Sequence, residues 1–546
     1  MRRAAALLTL LLFAFSAYAG LLSIAGGRGS PPVGGGSLPF DDPEQDGLAT
    51  PEQISIIAPV TGSIDAQAST TTRYRTTSGP GAWVVGHPAF RVATWVDDPD
   101  VGAVIDAFAW PLIDLTPGTS YDVELCVTDG EQDCREFTTS TRALPASCGA
   151  ANKTADTAGE IASEFASLNA GDVLEIADGN YTVNGLTLNR SGTSGSLICI
   201  RGESRAGTIL TDTAGTIIAL QEANHVIFEN FTMVGSAADS GTDASSAAFT
   251  QSDNDYDSVN ITVREITATG IDRFVDFAGE AYGTLVYDTT SAGNNLWSTS
   301  PTDFLDTNTT WNDAGIKIPG DGNAAFNNTI SEMGDTFSLA SHAGAGNVAA
   351  SYNTHFYRNE IRNSTDDPLE ADHGIRNLSF YDNRITNTIN CVSLDPLYGG
   401  PFLYARNICI NPARVGVLKW NGVSGGHFFY SNTIIGTVSA IGADDDVANW
   451  YQPVTGYNDN YGFRNNLWVY RGAGQSVWRE DGGSNVVDWT NNAWYPNRQI
   501  QFDGTYANLA AAQASIPSTT RRDSSTLAER TWGSRDSGIP RPTSGP

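Results

Sequence analysis

The chain has 546 residues, with 31 Lys and Arg against 61 Asp and Glu, a formal net charge of −30. So acidic a surface excludes a phosphate-backbone partner, which needs a basic footprint, and no nucleic-acid role is expected. The acidity suits solubility and can gather divalent cations; the length supports two or more domains, and six cysteines are too few to be their framework.

The opening MRRAAALLTLLLFAFSAYAG sets Arg2 and Arg3 before an apolar run from Ala4 to Phe15, then Ala17, Tyr18 and Ala19 before Gly20. This reads as a secretory signal over 1–19, too short to cross a membrane. No later stretch reaches 18 uninterrupted apolar residues, and no Cys follows the cleavage pattern to carry a lipid. A secreted (extracellular or periplasmic) monomer with no membrane span is expected. Residues 20–50, rich in Gly, Pro and Ser, read as a linker.

Residues 51–145 hold short alternating segments such as FRVATWV and YDVELCV between turn signals, the pattern of a small antiparallel sandwich. Cys126 and Cys134 flank VTDGEQD at a hairpin tip, where a disulfide is plausible; pairing of Cys148 with Cys199 and of Cys391 with Cys409 is not fixed by the sequence. The stretch LIDLTPGTSYDVELCVTDGEQDCREFTTSTRALP resembles the end of a fibronectin type III domain, in its Pro-Gly turn, its strand-opening Tyr and its closing FTT. The resemblance implies a spacer or binding module.

Beyond Cys148 one unit recurs: an aromatic or apolar residue, one or two polar residues, Asn, any residue, then Ile or Leu. FYRNEI, FYDNRI, YARNICI and FYSNTII place that Asn at 359, 383, 407 and 432, spacings of 24, 24 and 25. Short strands at this period predict one solenoid coil per repeat, stacking to close a core that no coil closes alone. Asn at a fixed place suits an internal amide ladder at a turn that admits the left-handed conformation.

These repeats resemble the pectin-lyase-like right-handed parallel β-helix superfamily. AGDVLEIADGNYTVNGLTLNRSGTSGSLICIRGES is similar to the first coils of its alginate lyase and chondroitinase branch. The resemblance covers about 148–500 and implies an all-β chain, a right-handed parallel β-helix preceded by the sandwich, with 501–546 as cap or tail. It leaves the activity open, because the superfamily holds lyases, hydrolases, epimerases and esterases.

The run DDPLEADH, 366–373, concentrates acids on one predicted strand. Counting from each Asn aligns GIKIP, FSLA, LEAD, VSLD and GVLK in successive coils. One outward column then reads Lys317, Ser338, Glu370, Ser393, Val417, and its neighbour Pro319, Ala340, Asp372, Asp395, Lys419, with one or two residues of slack in the turns. Two of the three lysines of the chain thus fall on the face that carries Glu370, Asp372 and Asp395. Coils ~4.8 Å apart bring these carboxylates close enough to need a cation or a raised pKa, in an extended outward groove.

Two chemistries fit. Glu370, Asp372 and Asp395 as hard oxygen ligands would hold Ca2+ against a uronate carboxylate, Lys419 or Lys317 would take the C5 proton, and Arg376 or Arg414 would help neutralise the carboxylate, so that β-elimination cuts a polysaccharide substrate. Alternatively, two carboxylates serve as acid and base in glycoside hydrolysis. His342 and His373 are auxiliary candidates, and Tyr398 and Trp420 could stack on sugar rings. Asp335 and Asp366 are assigned to turns or the outer coil. An inert acidic ladder, and a carbohydrate-binding or adhesin solenoid without chemistry, remain as further readings.

Overall fold

The recurrent asparagines form a buried ladder. The Asn383 Oδ1 accepts from the backbone N and the Nδ2 of Asn359, both at 3.0 Å, while its own Nδ2 donates to the Phe356 carbonyl at 2.9 Å and to the Asn407 Oδ1 at 3.0 Å. The same pattern runs from Asn328 through Asn432 and Asn466 to Asn492. Each amide thereby satisfies a backbone carbonyl that the turn leaves without a strand partner. The residue preceding most of these asparagines, Asp382, Arg406 or Ser431 for instance, adopts a positive φ, as such a turn requires.

A computed structural model describes residues 38–65, 68–79, 81–93, 106–183, 185–212, 215–235, 246–251, 258–277, 281–294, 314–339, 351–394, 397–412, 418–420, 426–436, 449–450, 459–470, 476–480, 485–495, 499–501, 505–506 and 511. Three long parallel sheets wind around one core. Sheet A has 13 strands, from Lys153–Ala155 to Asn485–Thr490, and sheet B has 12, from Gly179–Thr182 to Ala493–Tyr495. Sheet C has six, from Leu186–Leu188 to Asp335–Ser338, and the bridges Ser338↔Glu370↔Ser393 carry it on to the paired strands Val392–Leu394 and Leu418–Trp420. This is the parallel β-helix that the repeats predict.

Inward columns explain why the stack holds. Ile200, Phe228, Val263, Val286, Ala325, Phe356, Phe380, Tyr404, Phe429 and Phe463 follow one another in sheet A, all buried. At the amino end the helix Ala158–Ser167 lays Ile161 and Phe165 over the first coils. The sequence reading did not anticipate this helix. Thr157 accepts from the Glu160 backbone N at 3.2 Å and Glu160 returns a bond from the Asp156 N at 3.0 Å, a reciprocal cap.

The amino-terminal domain is a sandwich of two antiparallel four-stranded sheets. It begins earlier than expected: Glu44–Gln45 pairs with Ile56–Ile57 and Phe40 bridges to Val60, so part of the segment assigned to the linker belongs to the sandwich. Disulfides join Cys126 to Cys134, Cys148 to Cys199 and Cys391 to Cys409.

The sandwich lies on the outward face of sheet A. There Tyr287, Phe326, Tyr357 and Tyr381 stack at 4.8, 4.9 and 4.9 Å, and they share one buried cluster with Phe40, Phe108, Trp110 and Leu125 of the sandwich. Polar contacts fix the docking. The Arg376 guanidinium donates twice to Asp46, at 2.8 and 2.9 Å, Asn377 donates to the same carboxylate at 2.8 Å, and Gln53 donates to the Tyr381 hydroxyl at 2.9 Å. Gly47, at φ +69°, lies so close to the Asp321 carboxylate that a side chain there would overlap it. The Leu48 N–H donates to that carboxylate at 2.9 Å.

Candidate active site

Sheet C carries the predicted acids, and its register decides which groups meet. Strand pairing sets Asp276 beside Lys317, Lys317 beside Ser338, Ser338 beside Glu370, Glu370 beside Ser393, and Ser393 beside Lys419. Lys317, Ser338, Glu370 and Ser393 thus share a column as the count from the asparagines proposes. Lys419 does not stand with Asp372 and Asp395; it joins the Glu370 column where Val417 was expected. Thr388 pairs with Pro412 and Val392 with Leu418, so the chain between Pro412 and Leu418 is two residues longer than its counterpart one coil earlier, and a shift of two keeps side-chain parity while moving every residue to the next outward column.

Within the column Asp276 is bonded to Lys317 and Ser338 to Glu370. The Lys317 Nζ lies 2.6 Å from Asp276 Oδ1, and the Arg273 Nη1 lies 2.8 Å from Asp276 Oδ2. The Ser338 hydroxyl donates to Glu370, and the Ser393 hydroxyl donates to Asp372 at 2.7 Å. Burial pushes the Asp276 carboxyl up, but the Lys317 ammonium and then Arg273 outweigh it and hold the pKa below the usual value. Lys317 is 4% exposed and Glu370 6%. The face is therefore covered in this form, whereas the sequence reading expected an extended open groove.

A second cluster adjoins the column. One carboxylate oxygen each of Asp335, Asp367 and Glu370 lies within 4.8 Å of the other two, and all three residues are buried. The Asp367 backbone N donates to Asp335 at 3.2 Å, and the Asn390 amide donates to Asp367 while its Oδ1 has no partner among the described residues. Burial, then the charges of Glu370, Asp366 and Asp367, push the Asp335 carboxyl well above its ordinary range. Asp335, assigned to a turn or outer coil, in fact opens the strand Asp335–Ser338 and is 2% exposed. Of the three expected ligands, Glu370 is in the cluster. Asp372 is turned to Ser393, and Asp395 lies outside the described residues. The missed signal was positional: Asp335 and Asp367 enter sheet C in successive coils, and the Thr336 N bonds the Asp367 carbonyl at 3.0 Å.

Other expected substrate groups fall elsewhere. Arg376 belongs to the sandwich junction, bound to Asp46, because its strand Gly374–Arg376 turns the chain from sheet C toward sheet A. His373 and Tyr398 do meet, Nδ1 to hydroxyl at 3.2 Å. His342 and Arg414 lie outside the described residues, and for Lys419 and Trp420 only the backbone register is described. His355 and His427 are buried in the solenoid wall; burial lowers His355 to about 3 and His427 well below its usual value, so both are neutral structural groups.

The three clustered carboxylates fit a hard divalent cation. Ligand oxygens on opposite sides of a Ca2+ at ~2.4 Å each are ~4.8 Å apart, which this spacing admits.

The chain is thus a parallel β-helix whose sheet C carries Asp276, Lys317, Glu370 and Lys419 along one outward column. Among solved structures the chain is similar to an alginate lyase from Paenibacillus sp. str. FPU-7, at 10% identity and TM-score 0.34 over 62% of this chain and 98% of that one. It is similar to the PL6 family alginate lyase AlyGC, at 12% identity and TM-score 0.36 over 66% of this chain and 56% of that one. A mannuronic acid specific polysaccharide family 6 lyase from human gut microbiota gives 10% identity and TM-score 0.30 over 63% and 83%. These likenesses are too distant to bear on what this chain does. No protein-family model and no curated protein matches it.

Proposed function

We propose that the chain is an exported polysaccharide lyase that cuts a uronate-containing glycan by β-elimination on the outward column of sheet C. The observation that carries this reading is the column itself: Lys317 and Lys419 stand in register with Glu370, and Glu370 is shared with the carboxylate cluster of Asp335 and Asp367. β-Elimination asks for a base at C5, a charge to stabilise the resulting enolate-like carboxylate, and a proton for the departing O4. The C5–H electron pair forms the C4–C5 double bond as the C4–O bond breaks, so the new end is unsaturated.

Lys317 is held against Asp276, with its Nζ 2.6 Å from Asp276 Oδ1, and it is assigned to neutralising the carboxylate or protonating O4. Lys419 is assigned the base. Asp335, Asp367 and Glu370 would hold Ca2+, which when bound would supply positive charge next to the substrate carboxylate and acidify C5. Ser338 and Ser393 fix the carboxylates of Glu370 and Asp372.

The signal-like start and three disulfides support export. Among the described residues no helix is long and apolar enough to cross a membrane. The sandwich is read as fibronectin type III-like, and the chain as a monomer.

The test is a screen of the purified protein against uronate and neutral polysaccharides, with and without chelator, following the ultraviolet absorbance of unsaturated product. A chelator-sensitive rise that Lys419→Ala abolishes supports the proposal. Reducing ends released without unsaturation would replace it with hydrolysis, and retention without cleavage with binding alone.

A further inference from the structure

We infer that the cleft between the sandwich and the outward face of sheet A is a binding site for an uncharged sugar. The cleft encloses about 310 Å³, with walls that include Tyr74, Val85, His87 and Trp110 from the sandwich and Arg406 and Tyr430 from the solenoid. Pockets of ~300 Å³ lie at the small end of ligand sites and favour domain junctions, so one or two rings are the size accommodated. The site belongs to neither domain alone, and it is separate from sheet C and independent of the lyase reading.

Its chemistry selects the ligand class. One wall is aromatic: the His87 ring lies 4.2 Å from Trp110 and 4.9 Å from Tyr430, near-parallel to both. Apolar surface continues to the lip, where Val85 is 81% exposed and Val84 48%, unusual for paired strand valines. The polar part of the lining includes Asp114, Arg406, Ser431 and His87, and its charge is balanced toward negative. The Arg406 Nη2 bonds Asp114 at 2.8 Å and Asp382 at 2.7 Å, two carboxylates on one guanidinium. His87 adds no positive charge, since burial lowers its pKa to about 4. Its Nδ1 faces the Pro88 carbonyl at 2.9 Å, which leaves Nε2 a buried acceptor with no partner among the described residues.

An anion meets excess carboxylate here, on a chain of net charge −30. A purely apolar ligand would desolvate the Arg406 ion pair without replacing its water. A neutral sugar has what remains: an apolar ring face for the aromatic wall and Val85, and hydroxyls that donate to Asp114 and accept from Arg406. Bound there, a neutral glycan would tether the protein at a point away from sheet C.

The experiment is saturation-transfer NMR on the intact protein with glucose, galactose, mannose and their β-linked disaccharides, and with glucuronate and galacturonate as charged counterparts. At least one neutral sugar should give ring-proton signals that fall at least fivefold in Val85→Glu, persist in Val85→Ala, and persist in Lys419→Ala. Val85 is exposed, so both variants should melt with the parent, and circular dichroism checks this. The inference is overturned if no neutral sugar shows a signal sensitive to Val85→Glu, or if the uronates bind as well with the same sensitivity.

Discussion

Lys317 and Asp276 face one another across adjacent coils with 2.6 Å between charged atoms, and both are nearly sealed from solvent, at 4% and 6% exposed. A buried pair of this kind is costly to break, because the survivor keeps its charge without its partner. Asp276→Asn should therefore destabilise the fold by about 3 kcal/mol in urea unfolding, and Asp276→Asn with Lys317→Met should recover part of that loss. The pH sign follows from the depressed Asp276 pKa: its contribution is present above the unfolded carboxylate value and is lost as pH falls through the lower folded value. Equal acid sensitivity in the parent and in the double variant would contradict this assignment.

Asp335 behaves in the opposite sense. Its pKa is raised by burial and by its acidic neighbours, so the folded state keeps a proton that the unfolded chain has lost. Stability from this group is greatest below the unfolded value and declines as pH rises toward the folded one. A cation among Asp335, Asp367 and Glu370 should relieve that decline. Melting temperature should rise with millimolar Ca2+ more at pH 8 than at pH 5, and Asp335→Asn should remove the difference. A calcium shift that is the same at both pH values and survives the substitution would place the ion elsewhere.

Arg376 offers a contrast between docking and substrate contact. If its partner is Asp46, then Arg376→Ala and Asp46→Ala should each cost about 3 kcal/mol or more, loosen the sandwich to limited proteolysis, and leave the KM for any cleaved glycan within twofold. A tenfold rise in KM without a stability change would return Arg376 to the substrate.

Asp321 makes the same junction sensitive to pH. Burial raises it to about 7, against the lowering effect of Asn353 and the Leu48 N–H. Since the folded value lies above the unfolded one, this contribution is lost as pH rises through about 7. Asp321→Asn should flatten the fall in stability between pH 5 and pH 8, read by thermal unfolding across that range. A parent protein with no such fall would refute it.

Asn383 sits in mid-ladder with four hydrogen bonds. Asn383→Ala strands buried donors and acceptors above and below, at ~1–3 kcal/mol for each. A loss of at least about 3 kcal/mol is expected on that scale, against less than 1 for Asn387→Ala, whose ladder is only part-buried. Similar losses at the two positions would show that the inner ladder is not special.

The sequence by itself determined the solenoid. The 24-residue return of Asn359, Asn383 and Asn407, with apolar alternation around it, leaves a parallel stack as the arrangement that buries every coil, because both signals are local and repeat. It also determined that Lys317, Ser338, Glu370 and Ser393 align, since the turns between them keep parity. The tertiary structure decided the rest. The position of Lys419 depends on the length of one turn, and the recruitment of Asp335 and Asp367 depends on how side chains converge at a corner that no repeat unit describes. Whether Arg376 meets substrate or Asp46 depends on where a separate domain docks, 330 residues away in the chain. Docking is set by shape and by the stacked tyrosines of sheet A, which read in sequence only as further members of the repeat.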